Sequence, residues 1–300
     1  VISSGTEYLF YIIFKLFNNK IYGLENPCHK MFKELFLTNN ISFKAISLDE
    51  NGIVIDDLRK YNVNIAYVTP SHQFPTGAIM SISRRTELLN WANENSNRYI
   101  VEDDYDSEFK YTGRPISALK ANDINDKVIY LGSFSKSISP AIRVSYLVLP
   151  KTLLNIYQKK LPYFICPVPT LNQKILYRFI KDGHFVKHIN KMRTLYKKKR
   201  EFLVNTIKTY SSEILNKEIQ IQGADAGLHM VIKLNQKINE KLFLNECLEN
   251  SLKLYSLEEY NIEETYRENS YFLLGYANLT NKEIEEGILL MLKILKKYYI

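Results

Sequence analysis

The sequence predicts a three-layer α/β domain with a mostly parallel sheet, followed by a smaller α+β unit. Two observations carry this. Through the first 150 residues, short β-rich runs alternate with amphipathic stretches, as parallel strands joined by helices require. Beyond about residue 181 the pattern changes to long helices with isolated strands. The expected division is a large domain over 1–181 and a small C-terminal one over 182–300.

The elements follow in order. Residues 1–2 read as a strand entered partway, so a preceding segment is expected. The apolar run 9–14 meets Lys15 after six residues, and a membrane span needs about 20, so it reads as a buried helix. Strands are expected at 20–25, 43–48, 64–69, 99–103, 128–132 and 144–149. A helix at 84–95 puts Leu88, Leu89 and Ala92 on one face, with Trp91 in the core. The second unit reads as a helix over 185–210, a strand at 228–234, a helix at 239–250, a strand at 271–276 and a terminal helix from 281.

The chain has 300 residues, 46% apolar and 24% charged, which excludes disordered, collagen-like and coiled-coil classes. Its formal charge of +8 attracts anions without identifying one. Cys28, Cys166 and Cys247 are an odd, scattered set with no CxxC pair, so neither disulfides nor a cysteine metal site is expected, and a cytoplasmic location fits.

The chemistry concentrates at predicted strand ends. In residues 130–136 (YLGSFSK) an apolar strand runs into small hydroxyl residues and then Lys136. That places a lysine at the sheet edge where open α/β sheets bind ligands, with Ser133, Ser135 and Ser137 able to donate to a phosphate. A surface lysine after a strand is the equally weighted plain reading. Residues 99–105 (YIVEDDY) bring Asp103 and Tyr105 to the same edge. A carboxylate there can face the ring nitrogen of pyridoxal phosphate, and a phenol can reach its 3' oxygen. Acids at a strand end could also hold Mg²⁺ or cap a helix, but no GxxxxGK[ST] loop accompanies them. Ser3-Ser4-Gly5-Thr6 before a helical run, and Arg143 seven residues after Lys136, could complete an anion cradle.

This ordered set, with residues 68–80 (VTPSHQFPTGAIM), 100–109 (IVEDDYDSEF), 129–136 (IYLGSFSK), 183–200 and 223–229 (GADAGLH), resembles the fold type I pyridoxal phosphate enzymes, the aspartate aminotransferase superfamily. More narrowly it resembles the aminotransferase-like domain of MocR-type transcriptional regulators, a subgroup of the GntR regulators. The matching strings span nearly the whole chain.

The resemblance implies pyridoxal 5'-phosphate held by Lys136 as the Schiff-base lysine, with Asp103 at the ring nitrogen and Tyr105 at the 3' oxygen. Gly5, Thr6, Ser133, Ser135 and Arg143 fall to the phosphate, and His72 and Gln73 to the pocket lining. It also implies a homodimer with sites at its interface, and a DNA-binding winged helix ahead of this region that the chain lacks. Two positions depart from the family. Where an aromatic residue normally stacks on the ring, this chain has His29, in Glu25-Asn26-Pro27-Cys28-His29. Where an arginine grips the substrate carboxylate, it has Asn278, in Gly275-Tyr276-Ala277-Asn278.

Three functions follow in order of expectation: a sensor domain for an amine or amino-acid effector in a MocR-like regulator, a free-standing aminotransferase with Lys136 moving the proton, and a dimerisation module without cofactor. Retention of Lys136, Asp103, Tyr105 and Arg143 argues against the third. His184 and His188 lie four apart but lack the HExxH glutamate, so a solvated helix face is expected rather than a metal. Lys197 to Arg200 are likewise read as a solvated face.

Overall fold

A computed structural model describes residues 1–113 and 116–299. Strand β1 (Ile2–Ser3) leads into helix α1 (Thr6–Leu16), whose apolar spacing buries Leu9, Phe10, Ile12, Ile13, Phe14 and Leu16. Then come β2 (Tyr22–Asn26), α2 (Lys30–Thr38), β3 (Phe43–Asp49), β4 (Gly52–Ile53), α3 (Ile55–Lys60), β5 (Ile65–Val68), α4 (Ile82–Asn93), β6 (Tyr99–Asp104), β7 (Val128–Ser133) and β8 (Ser145–Val148). Helices α5 (Lys151–Lys160), α6 (Thr170–Lys181) and α7 (His184–Leu215) follow. The rest is β9 (Gln220–Gln222), β10 (His229–Lys233), α8 (Glu240–Glu249), β11 (Tyr255–Ser256), β12 (Tyr271–Gly275) and α9 (Asn281–Leu295).

The first eight strands form one sheet in the order β1-β8-β7-β6-β5-β2-β3-β4. The run from β3 through β7 is parallel, as its apolar strands require when both faces are covered. On one face, α1 and α2 pack a core containing Phe10, Phe36, Tyr67, Ile129 and Leu131. On the other, α3 and α4 pack Leu58, Leu88 and the fully buried Trp91 against Ile46, Val68 and Ile100. The strand expected at 144–149 forms as β8 but runs antiparallel, since the eleven residues from Phe134 to Val144 that separate it from β7 are fewer than a parallel crossover needs. It in turn pairs antiparallel with β1.

The four later strands form a second sheet, β11-β12-β10-β9, covered by α9 and the C-terminal half of α7 through Leu203, Ile207, Phe272, Ile288 and Leu292. Helix α7 joins a small apolar cluster beside the large sheet to the second core. Its start contributes Ile189 beside Phe109 and Tyr111, and its end contributes Leu203 and Leu215 to the second core. It runs five residues beyond the expected 210 because Ser211 and Leu215 continue its buried face.

Candidate active-site cleft

Parallel register brings the site together. Strands β5 and β6 pair Tyr67 with Val101, so Asp103 stands one pleat farther along β6 on the face of Tyr67. The tyrosine donates its Oη–H to Asp103 Oδ2 at 2.7 Å. Strand β6 pairs with β7 through Asp103↔Leu131 and Asp104↔Gly132, so the turn after β7 carries Lys136 to the same edge. A cleft of about 370 Å³ opens there, with Lys136, Asp103, Tyr105 and His29 among its lining.

The cleft is rich in buried acid. Burial raises the Asp103 carboxyl, the Tyr67 hydrogen bond offsets part of this, and the charges of Asp104, Asp106 and Glu25 push it up to about 7. Glu25, at the end of β2, is also lifted to about 7 by burial, although Thr69 and Gln73 donate to its Oε2. Its Oε1 has no hydrogen-bond partner among the described residues. Among the described residues neither Asp103 nor Glu25 forms an ion pair, and neither does Lys136, which is exposed.

Three segments far apart in sequence meet behind Tyr105. His72 Nδ1 lies 3.0 Å from Asp106 Oδ2, and its Nε2 lies 3.2 Å from the Gly223 carbonyl. Both ring nitrogens therefore face acceptors, which the imidazolium form satisfies by donating twice. Burial alone lowers the His72 pKa, but Asp106 and the Gly223 carbonyl outweigh it and raise it. His229 packs against His72 with ring centroids 4.4 Å apart and planes tilted by 39°, and its own pKa is lowered by burial and by the His72 charge. Tyr105 donates to the His72 carbonyl at 2.7 Å. A Cβ at Gly227 would stand 2.0 Å from His72 Nδ1 and 2.4 Å from Asp106 Oδ2, and φ there is +71°, so only glycine fits. His72, Asp106 and His229 place one ligand atom each within 4.8 Å of one another. A doubly donating His72 has no lone pair to give a metal.

The expected anion cradle assembles only in part. Gly5 caps α1 without a side-chain hydrogen bond, leaving first-turn N–H groups open to an anion. A Cβ on Gly5 would lie 2.3 Å from an Arg143 guanidinium nitrogen, so the two meet. Arg143 is otherwise in a loose, half-exposed pair with Glu7 at 3.4 Å, a contact worth little and easily exchanged for a dianion. Ser133 Oγ accepts from the Ser135 N–H at 3.1 Å, holding the turn that presents Lys136. The hydroxyls of Ser3, Ser137 and Ser145 are buried without hydrogen-bond partners among the described residues.

These features fit pyridoxal phosphate: unpaired buried acid for a protonated ring nitrogen, a free lysine for an aldehyde, and an uncapped helix start with a guanidinium for a phosphate.

Of the other expected residues, His29 lines the cleft while Gln73 and Asn278 do not. Gln73 is buried and turned away, donating to Glu25, the Pro27 carbonyl and the Phe74 carbonyl. His29 caps α2 by accepting from Met31 N–H, and its ring packs against Phe74 at 5.1 Å. Asn278 is exposed in the turn after β12 and does not line the cleft, although Gly275 does. Asn278 stands three residues beyond the end of β12. His188, expected to be solvated, instead hydrogen-bonds the Ser137 carbonyl at 3.0 Å, next to Lys136. Lys199 and Arg200 also leave the solvated face, donating to the carbonyls of Ala277 and Ala224. Tyr67, Glu25, Asp106 and His229 escaped the sequence reading, although Asp106 and His229 stand inside the strings 100–109 and 223–229.

Residues 1–288 match the family described as aminotransferase class I and II. The chain belongs to this family. Within this aminotransferase family it is similar to two uncharacterized HTH-type transcriptional regulators of Bacillus subtilis (strain 168). YdeL is 36% identical over 96% of this chain and 61% of its own length, and YhdI is 38% identical over 89% and 55%. The probable rhizopine catabolism regulatory protein MocR of Rhizobium meliloti is 26% identical over 96% of this chain and 57% of its own. The chain thus spans less than two thirds of these regulators. In fold it is similar to a multiple substrate aminotransferase from Thermococcus profundus, with a TM-score of 0.86, 25% identity, and coverage of 99% of this chain and 75% of that one. It is also similar to Pyrococcus horikoshii kynurenine aminotransferase, solved with PMP, with a TM-score of 0.85, 24% identity, and coverage of 99% and 74%. The aminotransferase-like fold with MocR-type relatives agrees with the resemblance read from the sequence.

Proposed function

We propose that this chain is the pyridoxal phosphate-binding, effector-sensing part of a longer MocR-like regulator, which reaches DNA through a separate N-terminal domain. The observation that carries the reading is the lining of the cleft: Lys136, Asp103 and Tyr105 gather there, yet among the described residues no arginine does. Such a cleft can hold a cofactor and receive an amine, while it lacks the two-pronged cation that grips an amino-acid carboxylate for rapid turnover.

When bound, the cofactor supplies an aldehyde that condenses with amines and a ring that withdraws electrons. In this reading the Lys136 amine holds it, and Asp103, kept in place by Tyr67, holds a proton at the ring nitrogen. Tyr105, fixed by its bond to the His72 carbonyl, orients the 3' oxygen. Gly5, Thr6, Ser133, Ser135 and Arg143 bind the phosphate, and His29 covers one side of the ring. An amine or amino-acid effector that binds two conformations unequally shifts the population between them.

A homodimer is part of the proposal. Tyr8 and Tyr11 on α1 and Tyr163 and Ile165 after α5 are exposed, and a shallow apolar recess beside them includes Leu35 and Phe164. An apolar surface of this kind beside the cradle suits a second copy. No helix among the described residues is long and apolar enough to cross a membrane, and a cytoplasmic location belongs to the same reading.

The second reading, a free-standing aminotransferase, is favoured by the fold likeness to the T. profundus enzyme. Incubating the cofactor-loaded protein with amino acids and a 2-oxo acid separates the two. The sensor reading expects ligand-dependent spectral change with little product, whereas sustained formation of new amino acid would favour the enzyme.

A further inference from the structure

We propose that the outward faces of α6 and α7 form a binding surface for the phosphate backbone of duplex DNA, independent of the cofactor cleft. The charge of this protein is not spread evenly. Residues 151–215, which hold α5, α6 and α7, contain 14 Lys and Arg against the three acids Asp182, Glu201 and Glu213. The remainder of the chain has 26 Lys and Arg against 29 acids. A net charge of +11 is thus confined to three consecutive helices, and the rest of the molecule is slightly acidic at −3.

The helical repeat arranges this charge in rows. On α7, Lys187, Lys191 and Lys198 stand at i, i+4 and i+11, within one narrow stripe, and Lys208 extends it toward the C-terminus. All four are exposed, and none forms an ion pair among the described residues. At about 1.5 Å per residue the row from Lys187 to Lys208 is about 30 Å long, close to the roughly 34 Å of one duplex turn. On α6, Lys174, Arg178 and Lys181 stand at i, i+4 and i+7 and are exposed, and among the described residues only Arg178 is near an acid, Asp182 at 4.0 Å.

An ordinary solvated face mixes signs, as α9 does with Lys282 and Glu286 four residues apart. Here like charges occupy i and i+4 at Lys174 and Arg178, and again at Lys187 and Lys191, an arrangement that costs each helix stability. Among the described residues the side chains of Lys174, Lys187 and Lys191 make no ion pair or hydrogen bond and Arg178 has only the exposed contact with Asp182, in contrast to Lys199 and Arg200, which donate to backbone carbonyls. A regular anionic array offsets the repulsion. The buried face of α7 is held in the protein cores by Ile189, Leu203 and Ile207, and its exposed apolar residues Val186 and Leu195 stand apart from one another rather than forming a continuous face to insert into lipid. A rigid polyanion therefore suits this row better than a bilayer.

The test is fluorescence anisotropy of a labelled 30-base-pair duplex of arbitrary sequence, titrated with the protein from low to physiological salt. Binding is expected to weaken steeply with salt, as counterion release requires. The triple variant Lys187→Glu, Lys191→Glu, Lys198→Glu is expected to lose at least tenfold in affinity and to show a shallower salt slope. A control with the same charge change at the exposed Lys44, Lys60 and Lys241 is expected to stay within about threefold of wild type. The corresponding Lys→Gln triple provides a milder second variant, with thermal melting confirming that each variant is folded. Equal losses in the two Glu triples, or no salt-dependent binding to duplex, would overturn the proposal. So would binding of anionic phosphatidylserine vesicles without binding of duplex.

Discussion

Tyr67 and Asp103 form a buried pair in which the phenol donates to Oδ2 at 2.7 Å, and the carboxyl has no cation within ion-pair distance among the described residues. The pair orients the acid and leaves it raised to about 7 from the ordinary 3.8. A raised carboxyl costs stability once ionised. The penalty grows as pH rises from about 4 and is complete above about 7, because the unfolded chain gives up its proton first. Asp103→Asn should therefore stabilise the cofactor-free protein at pH 8, by at most about 4 kcal/mol for a shift of this size, and have little effect at pH 4. The same variant should lose most of the thermal stabilisation that added pyridoxal phosphate confers. Melting curves at both pH values check this, and an Asn variant destabilised at pH 8 would contradict the charge account.

Gly227→Ala should destabilise the protein by about 2–4 kcal/mol, since the new methyl meets His72 and Asp106 and the backbone has φ of +71°. Urea denaturation checks it. A loss below about 0.5 kcal/mol would mean that the His72–Asp106 pair is free to move.

Arg85→Met tests the opposite face of the sheet. The guanidinium is buried and donates to the carbonyls of Pro70, Met80 and Ser117, with Glu102 at 4.0 Å. Removing it leaves those acceptors and a buried acid without their cation, a change expected to cost about 3–5 kcal/mol. Calorimetry reads the shift directly, and an unchanged melting temperature would show that water replaces the arginine.

Asn278→Arg should alter amine-induced spectral changes by less than about twofold, because the side chain stands in an exposed turn outside the cleft. A tenfold gain for α-amino acids over simple amines would instead place this position at the substrate carboxylate.

Most of the large sheet was legible because its buried parallel strands are nearly continuous apolar runs, and Asp103 and Lys136 were legible because each ends such a run. The short strands β4, β9 and β11, of two or three residues, carry no periodic signal. Helix α6 escaped because Asn172 and Gln173 interrupt its apolar pattern and only Leu176 is buried. The cluster of His72, Asp106 and His229 joins residues 34 to 157 positions apart, and no local spacing encodes such a meeting. Nothing local in the sequence fixes the surroundings of Asn278, which follows a strand that ends at Gly275. Tyr67 could have been found by noting that it shares a strand face with Thr69 and lies beside the strand of Asp103.

The central claim is that Lys136 is the cofactor-binding lysine in a cleft completed by Asp103. Its most direct measurement is borohydride reduction of the protein with pyridoxal phosphate, followed by peptide mass spectrometry. The account predicts a visible absorption band on addition of the cofactor, and after reduction one phosphopyridoxyl group per chain on the peptide containing Lys136, with both absent in Lys136→Ala. No visible band, or label scattered over surface lysines and undiminished in Lys136→Ala, would contradict it.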